Sequence, residues 1–146
     1  AAMLHDGEFL YVLLEEYDLD TSLLSPVWWG GDGWELFLCN DPEKGSYRQM
    51  AFNSNGEHKV YSYDGGQKEY DPISAINNSK SQNSWKVEFA VPLDKLLQEK
   101  LQAGEKFYLN IFRQTRYRTG EHLCWSPIFE AGLHDLEKLG EITLEK

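Results

Sequence analysis

The heptapeptide WKVEFAV at residues 85–91 decides the fold, because apolar side chains occupy every second position along it. One face of the extended chain would carry Trp85, Val87, Phe89 and Val91. The opposite face would carry Lys86, Glu88 and Ala90. This period of two predicts a β-strand with one face packed in a core, and it is the clearest strand signal in the sequence.

Six further segments carry strand signals and are separated by polar breaks. Residues 9–16 are apolar on both faces at their start, which is typical of an interior strand. Residues 46–53 and 57–63 flank Ser54-Asn55-Gly56, a sequence that favours a hairpin turn. The other segments are residues 34–40, 106–116 and 139–144.

One short helix is expected after Pro92, because proline suits the first helical turn. It would contain Leu93, Leu96, Leu97 and Leu101, and Ala103-Gly104 would end it. Residues 64–84 are rich in Gly, Asn, Ser and Asp, and we expect them to form a long connection. Together these signals predict an all-β domain over residues 1–146, an antiparallel β-sandwich of the jelly-roll or immunoglobulin-like kind.

Charge and hydropathy exclude two classes of partner. The 146 residues carry a formal net charge of −10. Such a chain lacks the excess of Lys and Arg that neutralises nucleic-acid phosphates or attaches to anionic lipid. The longest apolar run, residues 9–14, is far shorter than the ~20 residues that a membrane span needs. We therefore expect neither a nucleic-acid partner nor a membrane partner.

The two cysteines and the chain start are less informative. Cys39 and Cys124 are too few for a cysteine-based zinc site. Their spacing leaves free thiols and a disulfide equally open. No signal peptide is visible at Ala1-Ala2-Met3, which says nothing about export.

Tryptophan is the most informative residue type, with five in the chain. Trp85 and Trp34 share strand faces with other apolar residues, so we expect both in the core. Trp28 and Trp29 lie in a loop rich in proline and glycine, where they either cap one end of the sandwich or form an exposed binding surface. Trp125 stands at a strand exit, where a core position is the more common outcome for a tryptophan taken alone.

Exposed indoles have a specific chemical use in sugar binding. The axial C–H face of a pyranose is apolar and weakly positive, so it stacks on the electron-rich face of an indole. Carboxylate, amide or guanidinium groups then hold the sugar hydroxyls. The candidates for this polar role are Glu35, Arg48, Gln49, Asn110, Arg113, Arg116 and Arg118. Each could instead belong to a structural ion pair, such as Glu35 with an arginine, and Arg116 and Arg118 are more typical of solvated loop charges.

The ordered set of motifs resembles the family 9 carbohydrate-binding modules and their DOMON-like relatives. The matching stretches are residues 6–12, residues 29–38, Tyr47-Arg48-Gln49, residues 85–92 with Leu96, residues 110–113 with Trp125-Ser126-Pro127, and residues 133–144. Trp29 precedes Glu35 by six positions, as the corresponding Trp and Glu do in the family motif. The resemblance runs through nearly the whole chain in the family's order.

The resemblance implies a non-catalytic module that binds sugars, often at chain ends or as short oligosaccharides. In such modules two tryptophans hold a sugar between them while Glu and Arg side chains hold its hydroxyls. On this sequence the pair would be Trp29 and Trp125, with Glu35 accepting and Arg48 donating hydrogen bonds. The further candidates for ligand binding are Asn110 and Arg113.

The resemblance also predicts a setting for the protein: an extracellular or periplasmic module, covalently linked to other domains. It requires no cofactor and leaves structural calcium open, because some relatives hold calcium in loops. Asp18 and Asp20 offer oxygen ligands but fall short of a site with six to eight oxygens. One departure from the family is that only eight residues precede Phe9, where relatives carry an earlier strand.

Three alternatives belong to other functional classes. A glycosidase needs two carboxylates at a set separation, and no acidic pair stands out in this sequence. A haem-binding DOMON-like electron-transfer domain needs axial ligands, for which Met50 is available. A protein-interaction sandwich would use Trp28 and Trp29 as anchors for a partner. We expect a sugar-binding module and no catalysis.

Overall fold

Two antiparallel β-sheets make up the computed structural model, which describes residues 1–116, 122–129 and 132–145. The strands are β1 (Ala2–His5), β2 (Phe9–Tyr17), β3 (Gly33–Cys39), β4 (Tyr47–Asn53), β5 (His58–Tyr63), β6 (Gln67–Glu69), β7 (Ala75–Lys80), β8 (Ser84–Pro92), β9 (Lys106–Gln114), β10 (His122–Cys124) and β11 (Gly140–Thr143). The short helix α1 (Leu93–Leu96) follows β8, and 3-10 turns span Thr21–Leu23, Pro42–Lys44 and Leu136–Lys138. The prediction of an all-β antiparallel sandwich is confirmed.

The two sheets differ in size and in how they end. The smaller sheet has the strand order β1-β2-β8-β7, and the larger has the order β10-β9-β3-β4-β5-β6. β11 also pairs with β9, along the part that β10 does not reach: Ile142 opposes Phe107, whereas Cys124 opposes Phe112. The two sheets face each other, so each has an inner face toward the other sheet and an outer face away from it.

The inner faces of both sheets enclose a main core. The alternation of β8 is as predicted, and the residues that it contributes to the main core are Trp85, Val87, Phe89 and Val91. β3 contributes Trp34, whose ring centroid lies 6.1 Å from that of Trp85. Burial of a side chain of this size stabilises a fold by roughly 1.5–3 kcal/mol relative to exposure. The predicted core positions of both tryptophans are confirmed.

A second apolar cluster covers part of the outer face of the larger sheet. Phe37 and Phe112 meet edge to face, with 5.4 Å between their centroids. The segment 132–139 supplies His134, whose ring lies 4.8 Å from Phe37 and whose Nδ1 lies 2.7 Å from the Tyr47 hydroxyl. Burial lowers the pKa of His134. This segment occupies the half of the outer face near Tyr47 and leaves the half near Glu35 to the loop before β3.

Four strands lie outside the predicted segments: β1, β6, β7 and β10. β6 and β7 lie within residues 64–84, so the prediction of a long connection there is wrong. β7 is an edge strand, and its polar Asn and Ser residues hide the alternation by which a strand is recognised. β1 pairs with β2, with Ala2 opposite Leu13, and so supplies a strand ahead of β2.

The structure also answers two smaller questions, the length of the helix and the state of the two cysteines. The helix is one turn long, because Leu97 returns to an extended conformation; Leu97 and Leu101 are nevertheless buried in the main core. Cys39 and Cys124 are free thiols. Burial is the largest cause that raises the pKa of Cys39, which reaches about 11.

Arg113 connects the two sheets and the loop before β3 inside the molecule. It lies on the inner face, with its guanidinium carbon 5.0 Å from the ring centroid of Trp85 and 5.6 Å from that of Trp34. Its Nε donates to Glu16 of β2 at 2.7 Å, and its Nη2 donates to Asp32 at 3.3 Å. Because Arg113 is almost completely buried, these carboxylates balance a charge that would otherwise be costly to remove from water.

Replacing Arg113 by alanine should therefore destabilise the protein strongly. The Asp32 side chain is fully buried, and losing its cationic partner leaves an uncompensated buried charge. Breaking a pair of this kind costs about 3–5 kcal/mol of unfolding free energy. Urea unfolding of R113A measures the loss, and the exposed Arg116→Ala should stay within about 0.5 kcal/mol of wild type. Equal stability of the two variants would contradict this role.

Candidate functional site

The outer face of the larger sheet carries polar and aromatic side chains on neighbouring strands. Register places Glu35 of β3 opposite Ala51 of β4, and Gln49 of β4 opposite Tyr61 of β5. Because side chains alternate between faces, Glu35, Gln49 and Tyr61 all point away from the main core. A carboxylate on a face open to water would normally be exposed. Glu35 is instead buried, with 3% of its surface exposed.

Glu35 is the centre of a hydrogen-bonded group that we call the Glu35 network. Its Oε2 accepts from Gln49 Nε2 at 2.7 Å, and its Oε1 accepts from Gln114 Nε2. The Tyr63 hydroxyl in turn donates to Gln49 Oε1 at 2.9 Å. Burial raises the pKa of Glu35, while the two amide donors act in the opposite direction. Glu35 thus pairs with carboxamides, and the alternative of an ion pair with an arginine is not what the structure shows.

Trp29 lies at the rim of this network with half of its side chain in solvent. It is 51% exposed, and its backbone has φ of 59°, the left-handed region. A bulky residue there costs on the order of 1–3 kcal/mol and persists only where the surroundings fix it. Its ring centroid lies 5.7 Å from Trp28 and 6.3 Å from Tyr61. Lys59 Nζ lies 4.6 Å from the Trp28 ring and 5.9 Å from the Trp29 ring.

The loop that carries Trp29 is fixed by close backbone contacts. The Gly31 amide donates to Val27 O at 2.9 Å, and the Asp32 amide donates to Ser25 O at 2.6 Å. A Cβ at position 31 would lie 2.4 Å from either carbonyl oxygen, so only glycine fits. The Asp32 carboxylate accepts from the Ser25 amide and from Arg113. The position of Trp29 therefore depends on the buried ion pair described above.

Between the tryptophan loop and Glu35 lies a narrow crevice of about 10 Å³, lined by Trp29, Glu35, Ala51 and Gln114 among others. That volume holds one water molecule at most. A larger ligand cannot enter the crevice and would have to lie across its rim. There it would meet the open face of Trp29 and the edge of the Glu35 network.

Trp125 lies on the other face of the same sheet. The Trp125 amide donates to Ile111 O at 3.0 Å, so the backbone pairing of β10 with β9 extends to Trp125. Its partner Ile111 belongs to the main core and therefore points to the inner face. The six-membered ring of Trp125 lies against Gly140, where a Cβ would come within 2.4 Å of the ring. Gly140 opposes Leu109 of the main core, which fixes that side as the inner one. Trp29 and Trp125 therefore lie on opposite faces of the larger sheet, so the structure does not bring the predicted pair together, and their joint contact with one sugar stays a prediction.

The remaining predicted polar residues lie in three different surroundings. Asn110 is fully buried and holds the turn after β10: its Nδ2 donates to Ser126 O at 2.8 Å and its Oδ1 accepts from Ser126 N at 2.9 Å. Arg48 lies on the inner face, 4.1 Å from the centroid of Tyr70, so it does not meet Glu35. Arg113 forms the inner ion pair. The structure thus brings Glu35 and Gln49 together with Trp29, and it separates them from Asn110, Arg48 and Arg113.

Sequence reasoning missed four residues of this surface: Lys59, Tyr61, Tyr63 and Gln114. A sequence signal exists for three of them: in β5, Lys59, Tyr61 and Tyr63 occupy every second position and so share the face opposite to that of the buried Val60. Which residues of β4 they lie opposite depends on the strand register, which the sequence does not specify. Arg118 lies outside the described residues, and the exposed Arg116 follows β9 directly.

The described ranges also locate the residues named for calcium and haem. Asp20 caps the first 3-10 turn, where its Oδ1 accepts from the Ser22 amide at 3.0 Å. Within the described ranges, no three His, Cys, Asp or Glu side chains group as a metal site would require. Met50 is completely buried in the main core, with its sulfur among apolar neighbours. Calcium binding stays a prediction.

Comparison with known proteins gives matches in structure but none in sequence. No protein-family model matches the chain, and no curated protein matches it. A candidate carbohydrate-binding protein from Bacteroides uniformis superposes with a TM-score of 0.68 at 16% identity, over 95% of this chain and 74% of the other.

Two further similar structures are of a family 9 carbohydrate-binding module from Caldicellulosiruptor kristjanssonii. The complex with cellotriose has a TM-score of 0.66 at 17% identity, covering 98% of this chain and 72% of the other. The complex with glucose has a TM-score of 0.64 at 18% identity, covering 98% and 74%. The chain has the fold of the family 9 carbohydrate-binding modules.

Proposed function

We propose that this protein binds a saccharide without cleaving it, on the outer face of the larger sheet beside Trp29. The observation that carries the proposal is an indole held half in solvent in a left-handed backbone conformation, next to a buried carboxylate and two amides. A strained, exposed aromatic residue needs a reason, and ligand contact supplies one. The likeness of fold to modules that hold cellotriose and glucose supports the same class of ligand.

Trp29 would stack on the apolar face of one sugar ring. Trp28 and Tyr61 pack against it from the protein side, at 5.7 and 6.3 Å, and so limit its rotation. Because the ring is already oriented, little side-chain entropy is lost on binding. Stacking of this kind contributes about 0.5–1.5 kcal/mol beyond the area buried.

The Glu35 network would hold the hydroxyl groups of the same sugar. Gln114 is half-buried and is the member of the network that a sugar at the rim would reach, while the buried Glu35 and Gln49 keep it in place through their hydrogen bonds. A hydroxyl that lost water without a partner would cost about 1–3 kcal/mol, so fixed partners select the sugars that match them. Binding should be weak, because a site for one or two sugars buries little area.

Absence of catalysis is part of the proposal. Glycoside hydrolysis uses two carboxyl groups on either side of the scissile bond. At this site Glu35 accepts hydrogen bonds from the carboxamides of Gln49 and Gln114, which neither donate protons as acids nor act as nucleophiles. A partner-protein anchor at Trp28 and Trp29 is the competing reading, and it predicts no response to sugars.

The proposed setting is an exported module, joined to further domains and directed to the ends of oligosaccharide or polysaccharide chains. The acidic charge of −10 is compatible with neutral glycans and unfavourable for nucleic acid. Over the residues that the structure describes, no helix is long and apolar enough to cross a membrane.

Trp29→Ala should abolish saccharide binding at the outer face while the protein stays folded. Backbone amide signals of β4 and β5 in the wild type should shift on addition of cellotriose, and the variant should show no such shifts. Tyr11→Ala, which removes an exposed aromatic from the smaller sheet, is the matched control and should bind as wild type. Unchanged shifts in W29A would refute the proposal, and a wild type that never responds would favour the protein-anchor reading.

Glu35→Gln should weaken cellotriose binding at this face by about tenfold, because an amide donor replaces one carboxylate acceptor. Glu88→Gln is the control: Glu88 also accepts from a carboxamide, Asn77 Nδ2 at 3.1 Å, but lies on the smaller sheet. Affinities that match in the two variants would remove Glu35 from the site.

The same variant tests the environment of Glu35 through pH. Because burial raises the pKa of Glu35 above its ordinary 4.5, the folded protein retains this proton more readily than the unfolded chain. The free energy of unfolding should therefore fall as pH rises from about 4.5 through the raised value. This fall should be smaller in E35Q, as measured by urea unfolding at a series of pH values. An identical pH dependence in both proteins would contradict the burial of an ionisable group.

A further inference from the structure

A hollow of about 330 Å³ lies beside Tyr61, along β5 of the larger sheet. We call it the β5 hollow, and its lining includes Lys59, Tyr61, Glu69, Tyr70 and Asp71. β6 pairs with β5 only at residues 61–63, and the hollow begins where this pairing ends. Its volume lies within the range of ~300–1,000 Å³ that is typical of small-molecule sites.

We infer that the β5 hollow is a second sugar subsite, so that the outer face takes a neutral oligosaccharide with one unit on Trp29 and the next over Tyr61. This rests on the proposed function at Trp29, and it adds the length of the ligand and the residues that hold its second unit. The position of Tyr61, the polar groups of the lining and the balance of their charges each support it.

Tyr61 connects the Trp29 site with the β5 hollow. Its ring centroid lies 6.3 Å from that of Trp29, and the same side chain lines the hollow. Aromatic rings in contact have centroids about 4.5–7 Å apart, so Trp29 and Tyr61 form one continuous aromatic surface. Tyr61 is half-buried, which leaves part of its ring accessible. A sugar unit linked to one that stacks on Trp29 would therefore lie over Tyr61.

The rest of the lining supplies polar groups that a second sugar unit would reach. Glu69 of β6 is exposed and lies directly opposite Tyr61, so both side chains point to the outer face. Lys59 lies on that face too, two positions before Tyr61. The Asp71 side chain is 52% exposed, and a contact of 2.8 Å between its Oδ2 and His58 Nε2 holds it in place. Carboxylates accept hydrogen bonds and an ammonium donates them, so this set suits a ring that carries hydroxyl groups.

The charges around the β5 hollow favour a neutral ligand. Glu69 and Asp71 would repel an anion, and Lys59 would repel a cation. An apolar ligand would remove water from these charged groups without replacing the lost hydrogen bonds, which is unfavourable. A sugar ring avoids each of these costs, because its hydroxyl groups both donate and accept while its C–H face covers Tyr61.

The test compares glucose, which fills one subsite, with cellotriose, which is long enough to fill both. Cellotriose should bind the wild type at least tenfold more tightly than glucose, because its second unit is held at high effective concentration once the first is bound. In an NMR titration, the backbone amide signals of residues 69–71 should shift with cellotriose at concentrations where glucose leaves them in place.

Glu69→Ala should lower the affinity for cellotriose about tenfold and leave that for glucose unchanged, since this exposed carboxylate meets only the second unit. Gln67→Ala is the matched control, because Gln67 is an exposed residue of the same strand that lies opposite Tyr63, away from the hollow. Tyr61→Ala gives an independent check. It should remove the advantage of cellotriose over glucose, even though it weakens both sugars by withdrawing a neighbour of Trp29.

The outcomes separate this subsite from the proposed function. If E69A and Y61A lose the advantage of cellotriose while Q67A keeps it, the β5 hollow is confirmed as part of the site. Equal affinity of the wild type for the two sugars would overturn the β5 hollow and leave the Trp29 site standing, as would an advantage that persists in both E69A and Y61A. If neither sugar moves any signal of the outer face, the proposed function fails and the second subsite fails with it.

Discussion

Arg113 lies where the two sheets and the tryptophan loop meet, and its charge must be balanced there because the side chain is almost completely buried. Glu16 supplies one carboxylate from the smaller sheet, and Asp32 supplies another from the loop that ends at β3. Asp32 also accepts from the Ser25 amide, so the same pair that joins the sheets closes the loop that carries Trp29. An ion pair of this kind adds little net stability compared with apolar packing, but it fixes geometry, because each partner loses several kcal/mol if it moves away.

The outer face of the larger sheet is divided between an apolar half and a polar half. In the apolar half the segment 132–139 packs on Phe37 and Phe112, and its His134 contacts Phe37, so these side chains form a second apolar cluster. The other half buries Glu35 among amides beneath an exposed indole. Both halves come from the same strands and the same alternation. What distinguishes the two halves is the segment that covers each: residues 132–139 pack on the apolar half, and the loop before β3 lies over the polar half.

The core tryptophans could be predicted from the sequence, whereas the residues that share the candidate site could not. The period of two in β8 and β3 placed Trp85 and Trp34 in the core, because alternation is a local property that survives any arrangement of neighbours. The same logic could not pair Trp29 with Trp125, since their separation depends on which face β10 presents beside β9. Asn110, Arg48 and Arg113 were candidate ligand contacts by residue type and by the family resemblance. In the structure Asn110 holds a turn, Arg48 stacks on Tyr70 and Arg113 joins the sheets.

The sequence by itself determined the fold class, the strands with strong alternation, the core tryptophans and the acidic net charge, because each follows from local periodicity or from composition. Only the tertiary structure decided which polar groups share a surface. It joined Glu35 to Gln49 and Gln114, placed Trp29 beside them, and put Trp125 on the inner side of the larger sheet. The physical reason is that a strand specifies the side to which each residue points, whereas the register and order of strands specify what each residue meets.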